Sequence, residues 1–160
     1  MALDRIYSFF QKKFPEAELV GVDINIGSVE NGNEWLKRED VLNIKLLVGK
    51  ADDLESFSDK SFDIVLTDAV LMYIGPDKIR RVMKNMVRIA RRGLIIIEWH
   101  SFDSQNPLGV YERHWRRNYE VLLNELIPGK NVNIIKLPNG GGFNDEMWTN
   151  WGALIEAKLD

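Results

Sequence analysis

The chain has 160 residues, a net charge of −3 at neutral pH and an isoelectric point of about 5.5. This length predicts one domain, residues 1–160, and the acidic balance argues against a nucleic-acid partner. Cysteine is absent and only two histidines are present, which argues against disulfides, thiolate chemistry and a zinc site. No apolar run reaches the roughly 18 residues of a membrane span, and no signal-peptide pattern opens the chain, so we expect a cytoplasmic protein without a membrane partner.

The first elements are predicted to be a helix and then a buried strand. Apolar side chains recur at helical spacing from Leu3 to Phe14, and Pro15 ends that helix. Residues 19–25 form an apolar run that stops at Asp23, a pattern typical of a buried parallel strand. An acid in this place can bind ribose hydroxyls in the crevice beyond the strand ends, or it can cap the next helix near Ser28. The residues alone leave both interpretations open.

Helices and strands continue to alternate through the middle of the chain. The apolar pattern predicts a helix over residues 28–40 and strands over residues 44–48, 62–66 and 94–98, with a loop at 49–54. In that helix, Trp35 and Leu36 are the expected buried residues. The run at 94–98 is the most hydrophobic, so we expect it at the centre of the sheet.

A helix is also predicted between the last two of these strands. Gly75-Pro76 breaks the chain, and Asp77 is placed to cap the helix that follows. Its far end carries Arg91 and Arg92, which complement the helix dipole, and Gly93 is placed as a left-handed stop.

The C-terminal part predicts one more helix and a pair of strands. Apolar residues at helical spacing run from Tyr111 to Leu126, and Pro128-Gly129 closes that helix. Strands over residues 132–136 and 152–159 are expected to pair in antiparallel fashion at a sheet edge, with the glycine run at 140–142 in a hairpin loop. Four strand–helix alternations before this hairpin predict an α/β protein. Its sheet is Rossmann-like and mostly parallel, with helices on both faces.

In this order the motifs resemble those of class I S-adenosylmethionine-dependent methyltransferases. The matching stretches are residues 20–24, 49–54, 62–71, 89–98 and 151–158. The resemblance implies S-adenosylmethionine as the cofactor, with Asp23 at the ribose and Ile24, Ala51 and Asp52 at the adenine. It also places Thr67 and Asp68 near the methionine amino group. Asp52, with Asp53, is otherwise read as part of a solvated turn.

Two departures from the family pattern stand out. Lys50 occupies a position in the adenine loop where the family usually has an acid. The glycine-rich turn and the first strand before it are not found in this sequence. That strand lies mid-sheet in the family, so its absence would leave backbone groups of both neighbouring strands unpaired. We therefore expect the strand ending at Asp23 to pair directly with the strand containing Asp63, or another chain, such as a second copy, to donate a strand.

The implied function is transfer of a methyl group to a small-molecule acceptor by a methyltransferase or a fragment of one. No catalytic residue is identified; His100 can act as a base, and Tyr73 can face the sulfonium or be a core aromatic. Because the glycine-rich turn is not found, a non-catalytic methyltransferase-like subunit stays an alternative function. For the same reason we expect weak or absent cofactor binding. A nicotinamide-dependent oxidoreductase is a further alternative, because it also uses an acid after the second strand.

The parts of the sequence expected to form the acceptor site match the family motifs least well. His114 lies among Arg113, Arg116 and Arg117, which is typical of a solvated helix face. If that group of residues is functional, it would bind an anionic acceptor that carries a phosphate or a carboxylate. Trp148 and Trp151 either pack in the core or line an acceptor pocket.

Overall fold

A computed structural model describes residues 13–143 and 145–160. The helix predicted from Leu3 to Phe14 lies almost entirely outside these residues. The chain forms two compact units, one up to Asp53 and one from Leu54 to Asp160. In the described part of the chain, no helix is both long and apolar enough to cross a membrane.

The first unit is a βαβ arrangement. Strand β1 (Leu19–Asp23) and strand β2 (Ile44–Val48) pair in parallel, with Asp23 opposite Val48, and helix α1 (Ile26–Arg38) connects them. Val29, Leu36 and Leu46 are among the buried residues of its core, while Trp35 is half-buried against them. The positions of both strands and the burial of Leu36 confirm the sequence predictions. Strand β1 is only partly buried, with Val20 and Val22 exposed, and α1 begins two residues earlier than expected.

The second unit is built on a four-stranded sheet in the order β3-β4-β8-β7. These strands are β3 (Phe62–Asp68), β4 (Ala90–Trp99), β7 (Val132–Lys136) and β8 (Gly152–Lys158). Strands β3 and β4 are parallel, whereas β8 runs antiparallel to both β4 and β7. The most hydrophobic strand, β4, is internal as predicted. The antiparallel pairing of β7 and β8 is also confirmed.

Helix α2 (Ile79–Ile89) buries the apolar face that the sequence indicates, but both predicted end signals are wrong. Its N-cap residue is Lys78, and the side chain of Lys78 makes no capping bond, so Asp77 is not the cap. Gly93 does not stop the helix; it lies within β4, opposite Ile64 of β3 and Lys158 of β8. A Cβ atom at Gly93 would lie 2.7 Å from the Ala157 carbonyl oxygen, so glycine is needed for the close approach of two strands.

A β-hairpin replaces the first part of the helix predicted from Tyr111. Strand β5 (Leu108–Tyr111) pairs antiparallel with β6 (His114–Arg117), and helix α3 (Tyr119–Leu126) starts only after Asn118 caps it. Glu112 and Arg113 form the turn with φ of 45° and 70°. Two consecutive left-handed residues are typical of a tight hairpin turn and incompatible with a helix. The arginines around His114 therefore lie on a hairpin and not on a helix face.

The glycine run between β7 and β8 is more structured than a hairpin loop. Residues Pro138–Gly142 form a short 3-10 segment in which Asn139, Gly140 and Gly141 are left-handed. Helix α4 (Glu146–Trp151) follows it, so the predicted hairpin loop is wrong: β7 and β8 are joined by a 3-10 segment and a short helix. Asp145 caps α4 by accepting the Met147 and Trp148 N–H groups.

The direct pairing predicted between β1 and β3 is wrong. Among the described residues β1 pairs only with β2, and β3 pairs only with β4. The prediction assumed that unpaired strand edges would be buried and orphaned. A strand at a sheet edge can instead leave one row of backbone groups to water, so a missing neighbour does not require β1 and β3 to pair. A strand donated by another chain stays a prediction.

Candidate functional site

In the first unit, the carboxyl ends of β1 and β2 bring the predicted adenosine residues to one edge. The Gly49 N–H donates to the Asp23 carbonyl oxygen at 2.9 Å, which joins the loop after β2 to the end of β1. The Asp23 side chain is half-buried, and its Oδ1 accepts the Asn25 N–H at 2.8 Å. Asn25, not Asp23, caps α1 by accepting the Ser28 N–H. Asp23 therefore lies at the carboxyl end of β1, and the hydrogen bond from the Asn25 N–H orients its carboxylate.

The other predicted adenosine residues lie beside Asp23. Ile24 follows the end of β1, and its side chain is 65% exposed. Ala51 and Asp52 are half-buried in a tight turn closed by the Asp53 N–H on the Lys50 carbonyl oxygen at 3.0 Å. An exposed apolar side chain beside an acid and a backbone turn is a surface suited to a flat base and its sugar.

In the second unit, Thr67 and Asp68 end β3 with polar atoms that lack partners. Thr67 Oγ1 and Asp68 Oδ1 are both buried, and neither forms a hydrogen bond with any described residue. Burial raises the pKa of the Asp68 carboxyl above its usual value. The next residue, Ala69, has a left-handed φ of 53°, so the chain turns sharply away from the sheet here. Buried acceptors without donors are rare in folded proteins and indicate a place for a ligand or a water.

The segment after Ala69 is held by a buried acid at the end of β4. Glu98 is fully buried, and its Oε1 accepts the Val70 and Leu71 N–H groups at 2.7 and 2.6 Å. Its Oε2 accepts the Met72 N–H at 3.0 Å. Burial raises the pKa of Glu98 to about 7, and the charge of Asp68 adds to this, while the three N–H donors oppose it. Glu98 therefore fixes the backbone that follows the β3 exit.

A buried arginine binds backbone carbonyl groups of the same segment. Arg117, at the end of β6, donates Nη1 to the Leu71 carbonyl oxygen at 2.9 Å and Nη2 to that of Ile74. It is only 4% exposed. Two buried side chains of opposite charge thus bind the N–H and C=O groups of one short 3-10 turn, Leu71–Tyr73.

The two catalytic candidates from the sequence lie in different surroundings. His100 is 3% exposed and packs on Phe102 and Tyr119. Its Nδ1 accepts the Tyr119 N–H at 3.3 Å, and burial lowers its pKa to about 4. Tyr73 is 65% exposed, so it is not a core aromatic, and its ring contacts His114 edge-on at 4.8 Å. At neutral pH His100 is an uncharged imidazole with one nitrogen already engaged.

An aromatic group surrounds the end of β4. Trp99 lies 5.4 Å from Trp151, 5.5 Å from His114 and 6.4 Å from Tyr111, measured between ring centroids. Trp148 also contacts Trp99, but it is buried and stacks on Phe143. Sequence reasoning missed Trp99 and the role of Arg117, because each acts through residues far away in the chain.

Comparisons with known proteins agree with this architecture. The family model described as "Methyltransferase domain" matches residues 5–93, more than half of the chain. A comparison with curated protein sequences gave no match.

Solved structures share the fold at low sequence identity. The PH0226 protein of Pyrococcus horikoshii OT3 is 19% identical, with a TM-score of 0.67 over 96% of this chain and 76% of that one. An S-adenosylmethionine-dependent methyltransferase from Aquifex aeolicus is 14% identical, with a TM-score of 0.66 over 96% and 76%. Geranyl diphosphate C-methyltransferase of Streptomyces coelicolor A3(2) is 11% identical, with a TM-score of 0.72 over 95% and 66%. With its family match and its Rossmann-like sheet, the chain belongs to the class I S-adenosylmethionine-dependent methyltransferase family.

Proposed function

We propose that this protein binds S-adenosylmethionine and transfers its methyl group to a small-molecule acceptor. The observation that carries the proposal is the pair of unpartnered buried atoms at the end of β3, Thr67 Oγ1 and Asp68 Oδ1. A carboxylate and a hydroxyl together suit an ammonium group, which can donate to both of them. The amino group of the cofactor's methionine part is such a donor.

The adenosine part is assigned to residues of the first unit. Asp23, oriented by its own turn, would accept hydrogen bonds from the ribose hydroxyls. The exposed Ile24 would cover one face of the adenine, and the turn containing Ala51 and Asp52 would contact its edge. These assignments follow the family resemblance and are supported by the shared strand edge of Asp23 and Gly49.

Methyl transfer requires little from the protein beyond the orientation of the acceptor toward the methyl group. S-adenosylmethionine, when bound, supplies a methyl group that its sulfonium has already activated. The chain must hold the acceptor in line with that methyl group, and orientation alone can contribute about 7–11 kcal/mol to lowering a barrier. The segment held by Glu98 and Arg117 supplies a rigid wall after Asp68, with Tyr73 at its exposed end. We assign no base, because an acceptor that arrives unprotonated needs none.

Calorimetric titration with S-adenosylhomocysteine tests the proposal, with ligand-observed NMR for weak binding. We expect weak but saturable binding that Asp23→Ala abolishes. Asp68→Asn should weaken it about ten- to a hundredfold, since a charged hydrogen bond contributes about 1.5–3 kcal/mol. Asp63→Asn is the matched control, because Asp63 also lies on β3 but is exposed and paired with Arg91.

A thermal melt separates ligand loss from misfolding. Because Asp68 Oδ1 is buried without a partner and burial raises the pKa of the carboxyl, Asp68→Asn should leave folding stability unchanged or improved. Wild-type protein that binds neither S-adenosylhomocysteine nor NAD would refute the proposal and favour the non-catalytic alternative. Binding of NAD alone would favour the oxidoreductase.

A further inference from the structure

The β5–β6 hairpin places a cation against the aromatic group at the end of β4. Side chains on one face of the hairpin are paired in register, Tyr111 with His114 and Gly109 with Arg116. The Arg116 guanidinium lies over the Trp151 ring, with Cζ 4.8 Å from the centroid. A Cβ atom at Gly109 would lie 2.9 Å from Arg116 Nη2, so the glycine leaves room for the guanidinium to cross the hairpin. We call Trp99, Tyr111, His114, Arg116 and Trp151 the aromatic–arginine cluster.

Three nitrogen atoms of this cluster are buried and unpartnered. Trp99 Nε1, His114 Nδ1 and Arg116 Nε form no hydrogen bond with any residue in the described part of the chain. Trp99 as a whole is only 5% exposed, so bulk water does not reach most of its ring. Folded proteins rarely leave buried polar atoms unsatisfied, and three within one set of touching side chains indicate a missing partner.

The chemistry of these nitrogens defines that partner. Indole and guanidinium N–H groups can only donate, so the partner must be a hydrogen-bond acceptor. Arg116 already occupies a face of Trp151, which disfavours a second cation there. The exposed Asp103 lies near enough for its charge to interact with Arg116, but its carboxylate oxygens accept hydrogen bonds from Gln105 and Asn106. Glu98 is bound to backbone N–H groups. The rings supply apolar walls for a flat molecule.

We infer that the aromatic–arginine cluster binds an oxyanion, a carboxylate or a phosphate, carried by a flat apolar molecule. The cluster adjoins the β3 exit within the same unit, because Tyr73 contacts His114 at 4.8 Å. On the proposed function, this molecule is the methyl acceptor, so the inference names the acceptor class and rests on that function for this step. Arg116 is the specificity-determining residue, and Trp99 supplies a second donor.

Tryptophan fluorescence provides the test, because the cluster contains two of the five tryptophans. The probes are phenyl phosphate and benzoate, with benzyl alcohol as the neutral analogue and benzyltrimethylammonium as the cation. We expect a saturable change with at least one of the two oxyanions, and either none or a much weaker one with the other two probes. A response to phenyl phosphate but not benzoate, or the reverse, identifies which oxyanion the cluster takes.

Variants show which residues of the cluster are responsible for oxyanion binding. Arg116→Gln is expected to weaken oxyanion binding about tenfold or more, because it removes a charge-assisted donor. Arg113→Gln is the matched control, since Arg113 is exposed at the hairpin turn and should bind as wild type does. Trp99→Phe keeps a ring but loses the N–H; followed by NMR of the remaining indoles, it should weaken binding without removing it.

The inference is overturned if neither oxyanion binds, if benzyl alcohol or the quaternary ammonium binds equally well, or if Arg113→Gln and Arg116→Gln have the same effect. Titration of Arg116→Gln with S-adenosylhomocysteine should match wild type, which also shows that the variant folds. Oxyanion binding without any S-adenosylhomocysteine binding would refute the proposed methyltransferase activity while leaving this ligand site in place.

Discussion

Glu98→Gln should change how folding stability depends on pH. Burial raises the pKa of Glu98 from 4.5 to about 7 in the folded chain. Between these values the folded protein holds a proton that the unfolded chain has released, so stability falls as the pH rises. Each pH unit in this window is worth about 1.4 kcal/mol, and the full window about 3 kcal/mol.

His100 has the opposite dependence. Its pKa falls from 6.5 to about 4 on folding, so the folded state resists protonation and stability rises with pH across that window. In the wild type the two effects largely cancel where the windows overlap. Glu98→Gln removes the first and keeps the second. The free energy of unfolding of the variant, relative to wild type, should therefore rise by about 3 kcal/mol between pH 4.5 and about 7.

Urea unfolding at a series of pH values, followed by circular dichroism and fluorescence, measures this difference. Asp68 and Asp103 also titrate with shifted pKa values, but both are present in the two proteins, so their contributions largely cancel. Glu156→Gln is the matched control, because Glu156 lies on the neighbouring strand β8 and is exposed. A difference between Glu98→Gln and wild type that does not change with pH, or that shrinks as the pH rises, would refute the reasoning.

Two further substitutions test the packing of the second unit. Gly93→Ala would place a Cβ atom 2.7 Å from the Ala157 carbonyl oxygen and should lower the free energy of unfolding by about 1–3 kcal/mol. Gly27→Ala, whose Cβ would meet only the Asn25 side chain at 3.4 Å, should leave the urea midpoint unchanged or slightly raised. Arg117→Met would leave the Leu71 and Ile74 carbonyls without their donor, at about 1–3 kcal/mol for each orphaned group. An equal loss in Arg113→Met, at the exposed hairpin turn, would show that these buried bonds do not stabilise the fold.

The hairpin shows where sequence periodicity fails. Tyr111, Trp115, Tyr119, Leu122 and Leu126 recur at helical spacing, and the last three do lie on α3. The first two lie on strands, because Glu112 and Arg113 turn the chain back and Tyr111 packs against Trp99 and Trp151. Spacing alone cannot distinguish one long helix from a strand pair followed by a short helix.

The candidate site, too, was only partly predictable from the sequence. The sequence placed Asp23 and Glu98 at strand ends and Asp68 two residues after one, and the structure has each of them at or next to the end of its strand. It could not indicate that Glu98 would bind N–H groups 26 to 28 residues away. Nor could it place Arg116 over Trp151.

By itself, the sequence determined β1 to β4, β7 and β8, their order along the chain and the internal place of β4, because a short apolar run flanked by polar residues favours a strand. It predicted a helix where β6 and the end of β5 lie. The tertiary structure alone decided which polar groups meet: Glu98 with the turn after β3, Arg117 with its carbonyls, and Arg116 with an aromatic ring. The physical reason is the separation along the chain of the residues that take part in each interaction. Burial of a strand is set by its own residues, whereas a hydrogen bond or a ring contact requires two distant parts of the chain to lie within a few ångströms.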